Sequence, residues 1–185
     1  MAKSIPSVYM VTALTALAVI LRFFDFPYPP APFLKYDVSG VPLAVIAFID
    51  LRAAYSVLPI YYVIPVIMGS DPIGMAMKCL AELSTFTPLA LALKRFHGKR
   101  GEAVVAAIAV AIAAMARVAV MSLANYLVTP YWLVWAGWAR DLQRAYAITI
   151  SYLPHIALFN LTIALIVTPL AIIVHRVLTR MGLLG

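Results

Sequence analysis

The sequence predicts an all-α integral membrane protein with six transmembrane helices and both termini cytoplasmic. Three observations carry that expectation. Of the 185 residues, 65% are hydrophobic and 11% charged, with a mean hydropathy of +1.00; no soluble domain of this size needs so much apolar surface. The apolar runs are long enough for helices and lack the polar/apolar alternation of a transmembrane barrel. Basic residues gather in short loops, most densely at Lys94, Arg95, Lys99 and Arg100, which marks that loop as cytoplasmic. The spans use up the chain, so one transmembrane domain over residues 1–185 is expected.

Span one covers residues 7–24, after Pro6, a residue tolerated at a helix start. Lys3, the apolar core and Ala16-Leu17-Ala18 imitate a signal-peptidase site, but the apolar run continues to Phe24. The segment is therefore expected to remain as a span. Thr12 and Ala16 form a small-residue pair one turn apart, which lets another helix approach closely.

Residues 25–42 carry Pro27, Pro29, Pro30 and Pro32, together with Asp25, Lys35 and Asp37. That proline density forbids helix and favours stiff, extended backbone. In lipid, irregular backbone is tolerated only where protein buries it or water reaches it. The segment is expected to wall a pocket.

The run from Val41 to Met68 reads either as one long tilted helix or as two short ones broken at Asp50-Leu51-Arg52. Charge bias decides. Lys3 and the basic loop should both lie inside, so an even number of spans separates them. The break supplies it, giving spans 7–24, 38–49, 53–68 and 72–94. Segment 38–49 reaches only about 18 Å, so neighbours must shelter it or the bilayer must thin.

Gly69-Ser70-Asp71-Pro72 is a turn opening span four, which carries Lys78 and Glu82 one turn apart; Pro88 is expected to kink it. Span five, 102–126, has a small-residue stripe at Ala103, Ala107 and Ala111 and another at Ala109 and Ala113. Arg117 lies about 22 Å along it from Glu102, past the midplane, and Asn125 lies near its outer end. Residues 127–153 hold Tyr131, Trp132, Trp135, Trp138 and Tyr146, interrupted by Arg140, Asp141 and Arg144. An outer loop or interfacial helices are expected there. Pro154 separates them from span six, 156–178, which His175, Arg176 and Arg180 close on the inside.

Enzyme motifs are absent: no His-Glu-x-x-His, no Gly-x-Ser-x-Gly and no phosphate-cradling loop. The chain is therefore not expected to be an enzyme or to spend ATP by itself. His97, His155 and His175 are scattered without partners at ligand spacing, and the single Cys79 excludes an intrachain disulfide. The net charge of +7 reads as a topology signal and as attraction to anionic lipid, not as a nucleic-acid footprint.

What remains is a set of polar residues within or beside the spans, which are functional-site candidates because stranding them in lipid is costly. Lys78 and Glu82 can neutralise each other, and Arg117 can serve the same pair. Asn125 and Asn160 fall at the outer ends of their spans, near the proline-rich segment. Amides converging under a stiff aromatic loop describe a small-molecule pocket open to the outside.

Phe33-Leu34-Lys35-Tyr36-Asp37-Val38-Ser39-Gly40-Val41-Pro42 resembles the segment after the first span in the riboflavin-specific substrate-binding (S) subunits of energy-coupling-factor (ECF) transporters. Asn125-Tyr126 with the trailing Pro130-x-Trp132 is similar to that family's end of span five. Leu153-Pro154 and Phe159-Asn160-Leu161 resemble its start of span six, split by a short insertion. Pro72-Ile73-Gly74, Pro88 and Lys94 fall at its spacing in span four.

The resemblance implies a six-helix subunit of the cell membrane that binds riboflavin, or a related vitamin, on its outer face. It implies a transmembrane coupling subunit and two ATPases as partners, no cofactor, and a toppling motion that delivers the ligand inward. The site residues expected on this basis are Lys35, Tyr36, Asp37, Lys78, Glu82, Asn125, Tyr126 and Asn160. The chain departs from the family at Met75 and Lys78, where an acid and an Asn are common, and at Ile163, where a Lys is common. Lys78 is expected to stand in for that Lys from another helix. Two other readings compete: a stand-alone proton-coupled carrier relaying through Glu82, Lys78 and Arg117, and a structural membrane protein without a ligand.

Overall fold

A computed structural model describes residues 5–99 and 101–184, with side chains from residue 8 onward. Lys3 and Arg100, both used above to orient the chain, lie outside the described residues. The elements run α1 (Ile5–Leu21), β1 (Phe26–Tyr28), β2 (Ala31–Tyr36), α2 (Gly40–Ile49), α3 (Leu51–Ile67), α4 (Pro72–Phe96), α5 (Glu102–Trp135) and α6 (Leu142–Arg180). By length and composition α4, α5 and α6 can each cross a membrane; α1, α2 and α3 are shorter apolar helices. The protein is a membrane protein.

The expected break between α2 and α3 is present and is one residue wide. Asp50 is extended (φ −156°, ψ 111°), and its carboxylate caps α3 by accepting from the Arg52 N–H at 2.9 Å. Val41 to Met68 is thus two helices because an acceptor stands where the first must end and the second begin. α2 is only about 15 Å long. It is apolar all round and packs against α1, α3, α4 and α6, with seven of its ten residues buried. Neighbouring helices, not lipid, satisfy its surface.

The proline-rich segment is extended as expected, but it is also paired, so the fold is not purely helical. β1 and β2 form an antiparallel hairpin matching Phe26 with Tyr36 and Pro27 with Lys35, irregular between Pro27 and Tyr28. Pro27 has no N–H to give the ladder. Pro29 and Pro30 fall between the strands, and Tyr28 and Ala31 pack on Phe159, Ile163 and Val167 of α6.

Two helices run beyond the expected spans, so the segment 127–153 is mostly helix and not a long loop. α5 continues to Trp135 and α6 starts at Leu142, leaving a tight turn at Gly137 (φ +74°). The Asp141 carboxylate opens α6 by accepting from the Arg144 N–H at 2.8 Å. The polar residues that suggested a loop are this turn and its cap. Pro154 lies inside α6 because it forfeits only the bond to the Ile150 carbonyl, on an exposed face. α4 likewise continues through Pro88.

α5 packs most extensively on α6 and α4. Ala109 and Ala113 are fully buried, whereas Ala103, Ala107 and Ala111 turn outward, as do Thr12 and Ala16 of α1.

Candidate functional site

A cavity of about 850 Å³ lies under the hairpin, between the α3–α4 turn, the N-terminal halves of α4 and α6 and the C-terminal half of α5. Its α5 wall is one helical stripe, Arg117, Met121, Asn125, Thr129 and Trp132, spaced by four, four, four and three so that every member faces the same way. Phe159 and Asn160 come from α6, Met77, Lys78 and Ala81 from α4, and Phe33, Lys35 and Asp37 from the hairpin and the strand end. A second cavity of about 510 Å³, at the opposite end of α1, α2 and α6, is walled mainly by apolar side chains.

The floor is a buried network of four charges. Lys78 Nζ bridges Asp37 Oδ2 at 2.8 Å and Glu82 Oε1 at 3.2 Å. Arg117 Nη1 approaches the same Glu82 oxygen at 3.4 Å and donates to Thr85 Oγ1 at 2.9 Å, while its Nε donates to Asn160 Oδ1 at 3.1 Å. Glu82 and Arg117 are each 1% exposed. Buried charges survive only when paired and hydrogen-bonded, and each of these has more than one partner. Asp37 is fixed from behind: the Ser39 N–H and hydroxyl both donate to its Oδ1.

The amides are half committed. Asn125 Nδ2 donates to the Met121 carbonyl at 2.8 Å and its Oδ1 accepts from Thr129 at 3.0 Å. Asn160 Nδ2 donates to the Ile156 carbonyl at 2.9 Å. An amide has two donors and two lone pairs, so each keeps one of both to offer. At the rim, Asp25 holds Arg22 at 2.8 Å and Lys35 at 3.2 Å. Phe33 closes the hairpin side, its ring 6.2 Å from Trp132 and 5.4 Å from Tyr152. Aromatic faces, spare amide groups and the ammoniums of Lys35 and Lys78 suit a flat, polar heterocycle.

No family model matches the sequence. The chain is 27% identical over 170 residues to the riboflavin transporter FmnP of Bacillus subtilis (strain 168), covering 86% of this chain and 84% of that protein. Its fold matches a solved S component of a bacterial ECF transporter with a TM-score of 0.74 at 22% identity, covering 95% of this chain and 96% of the other. The fold is that of an ECF-transporter S component. The resemblance read from the sequence and the two similarities agree.

On this S-component fold, five of the eight expected site residues line one cavity: Lys35, Asp37, Lys78, Asn125 and Asn160. Three do not. Glu82 lies behind Lys78 and Arg117, the two lining residues it pairs with. Tyr36 turns its hydroxyl to Thr162 Oγ1 at 2.7 Å and its ring onto Phe159 at 4.7 Å, tying the hairpin to α6. Tyr126 follows Asn125 on a helix, about 100° round the axis; it is 39% exposed and packs on Tyr146 instead. Residues the sequence reading left out of the site are Arg117, Ser39, Thr129, Trp132 and Phe159. The four-residue spacing from Arg117 to Thr129 was the available signal for the α5 members. Ser39 stands within the Phe33–Pro42 motif, but nothing there singled it out.

Proposed function

We propose that this protein is the substrate-binding subunit of a vitamin uptake transporter, resident in the cell membrane with six spans and both termini cytoplasmic. It binds riboflavin from the extracellular side. It delivers the vitamin inward together with a transmembrane coupling subunit and two ATPases, without a cofactor and without chemistry of its own. One observation carries this reading: Asn125, Asn160 and Lys78, from three helices, face one cavity roofed by the hairpin. A flavin ring edge alternates carbonyls and ring nitrogens, and spare amide groups with an ammonium satisfy such an edge. The outward small residues of α1 and α5 suit a close, sliding contact with a coupling subunit.

The test is to purify the protein in mild detergent and identify any co-purified small molecule by absorbance and mass spectrometry. Riboflavin at near one per chain is expected. A colourless protein that fails to quench added riboflavin would overturn the reading. Uptake by vesicles lacking any ATPase would instead mark the stand-alone proton-coupled carrier.

A further inference from the structure

Tyr61 lies outside the cavity lining, on α3, and is fully buried. A buried phenol needs a hydrogen-bond partner, and its hydroxyl sits 2.6 Å from Ser39 Oγ. The direction of that bond follows from counting protons. A serine hydroxyl has one hydrogen, and Ser39 gives it to Asp37 Oδ1. Tyr61 is therefore the donor. The chain of donation runs Tyr61 to Ser39 to Asp37 and saturates Oδ1, which also accepts the Ser39 N–H at 2.9 Å. Only Oδ2 is left to face Lys78, at 2.8 Å.

Lys78 has three N–H donors. Asp37 Oδ2 at 2.8 Å and Glu82 Oε1 at 3.2 Å hold it as ion pairs. The two carboxylates come from different elements, so together they fix where the ammonium sits. Lys78 lines the cavity, where its N–H groups can meet a ligand acceptor. Freeing Asp37 to rotate about its own side chain would let the ammonium follow it.

We infer that Tyr61 is a positioning residue of the ligand site, acting through Ser39 and Asp37 to hold the Lys78 ammonium at the angle the ligand requires. The inference rests on the vitamin-binding reading for its affinity test, but not for its labelling test.

Tyr61→Phe removes one oxygen and keeps the ring. Riboflavin affinity, read by flavin fluorescence quenching, should fall about five- to tenfold, the range for losing one hydrogen bond in a charged chain. In a Lys78→Met background the same change should matter less than about twofold, because residues acting through one another are not additive. An equal loss in both backgrounds, or none, overturns the proposal. Ser39→Ala cuts the same chain at its next link and should reproduce the pattern if Tyr61→Phe folds poorly. The second readout needs no ligand. Acetylation of Lys78 by acetic anhydride, which leaves acetate behind, followed by peptide mass spectrometry, should be several-fold faster in Tyr61→Phe, with Lys35 unchanged. Unaltered Lys78 labelling overturns the relay even if riboflavin proves not to bind. Faster labelling in a protein that ignores riboflavin upholds the relay and removes the vitamin.

Discussion

Gly40 is the position where the smallest change should do the most harm. It opens α2 directly against Glu82. A β-carbon there would collide with Glu82 Oε2, lie 2.9 Å from its Cδ and 3.1 Å from Val167 Cγ1. The other Glu82 oxygen is the one held by Lys78 and Arg117. Gly40→Ala must therefore turn the carboxylate away from two cations or push α2 off α4. Overpacking costs about 1–3 kcal/mol, and removing one partner of a buried ion pair about 3–5 kcal/mol. Displacement keeps part of the attraction, so about 2–4 kcal/mol is expected between those limits. At about 2–4 °C per kcal/mol for a chain of this size, the apparent Tm should fall by roughly 4–16 °C. Tryptophan fluorescence during thermal unfolding in detergent measures it, with riboflavin affinity followed in parallel. Glu82→Asp retracts the carboxylate by one methylene, and in that background Gly40→Ala should cost less than half as much. A Gly40→Ala protein with unchanged Tm and unchanged affinity, or an equal loss in both backgrounds, would show that Glu82 is not pinned against α2.

Two further outcomes are expected. Trp132 and Trp138 line the cavity while Trp135 is 69% exposed, so Trp132→Phe should remove much of the tryptophan quenching caused by riboflavin and Trp135→Phe should leave it intact; a stopped titration of the single variants checks this. Burial alone would raise the Asp37 carboxyl, but Lys78 and the Ser39 hydrogen bonds outweigh it and hold the group below its ordinary value of 3.8. A folded-state value below the unfolded one gives stability that is present above the unfolded value and lost as pH falls through the folded one. Thermal stability should therefore show no loss from Asp37 between about pH 8 and about pH 5, and Asp37→Asn should lower it across that whole range.

Much of this architecture was legible because lipid restricts the choices. The break at Asp50 followed from where positive charge must face, although the run on either side of Asp50-Leu51-Arg52 carries no other charge. The intramembrane polar residues were legible for the same reason: Lys78, Glu82 and Asn160 have few places to go in hydrocarbon. The hairpin was only half legible. Proline density forecasts extended backbone but not pairing, and pairing depends on Tyr28 and Ala31 finding α6. The end of α5 and the start of α6 stayed open between a loop and interfacial helices because Arg140, Asp141 and Arg144 look alike whether they belong to a long loop or to a six-residue turn with a capped helix. Tyr126 was misplaced because a two-residue motif does not say which member faces inward. Ser39 and Tyr61 stayed hidden because hydroxyls are common in spans and usually bond to their own helix; their pairing bridges 22 positions.

The four charges of the floor have an electrical consequence. Asp37 and Glu82 balance Lys78 and Arg117, two against two. Carrying one elementary charge through a 100 mV gradient involves about 2.3 kcal/mol of work, and this quartet carries none. Any movement of this quartet through the voltage drop should therefore be neither driven nor braked by its own net charge.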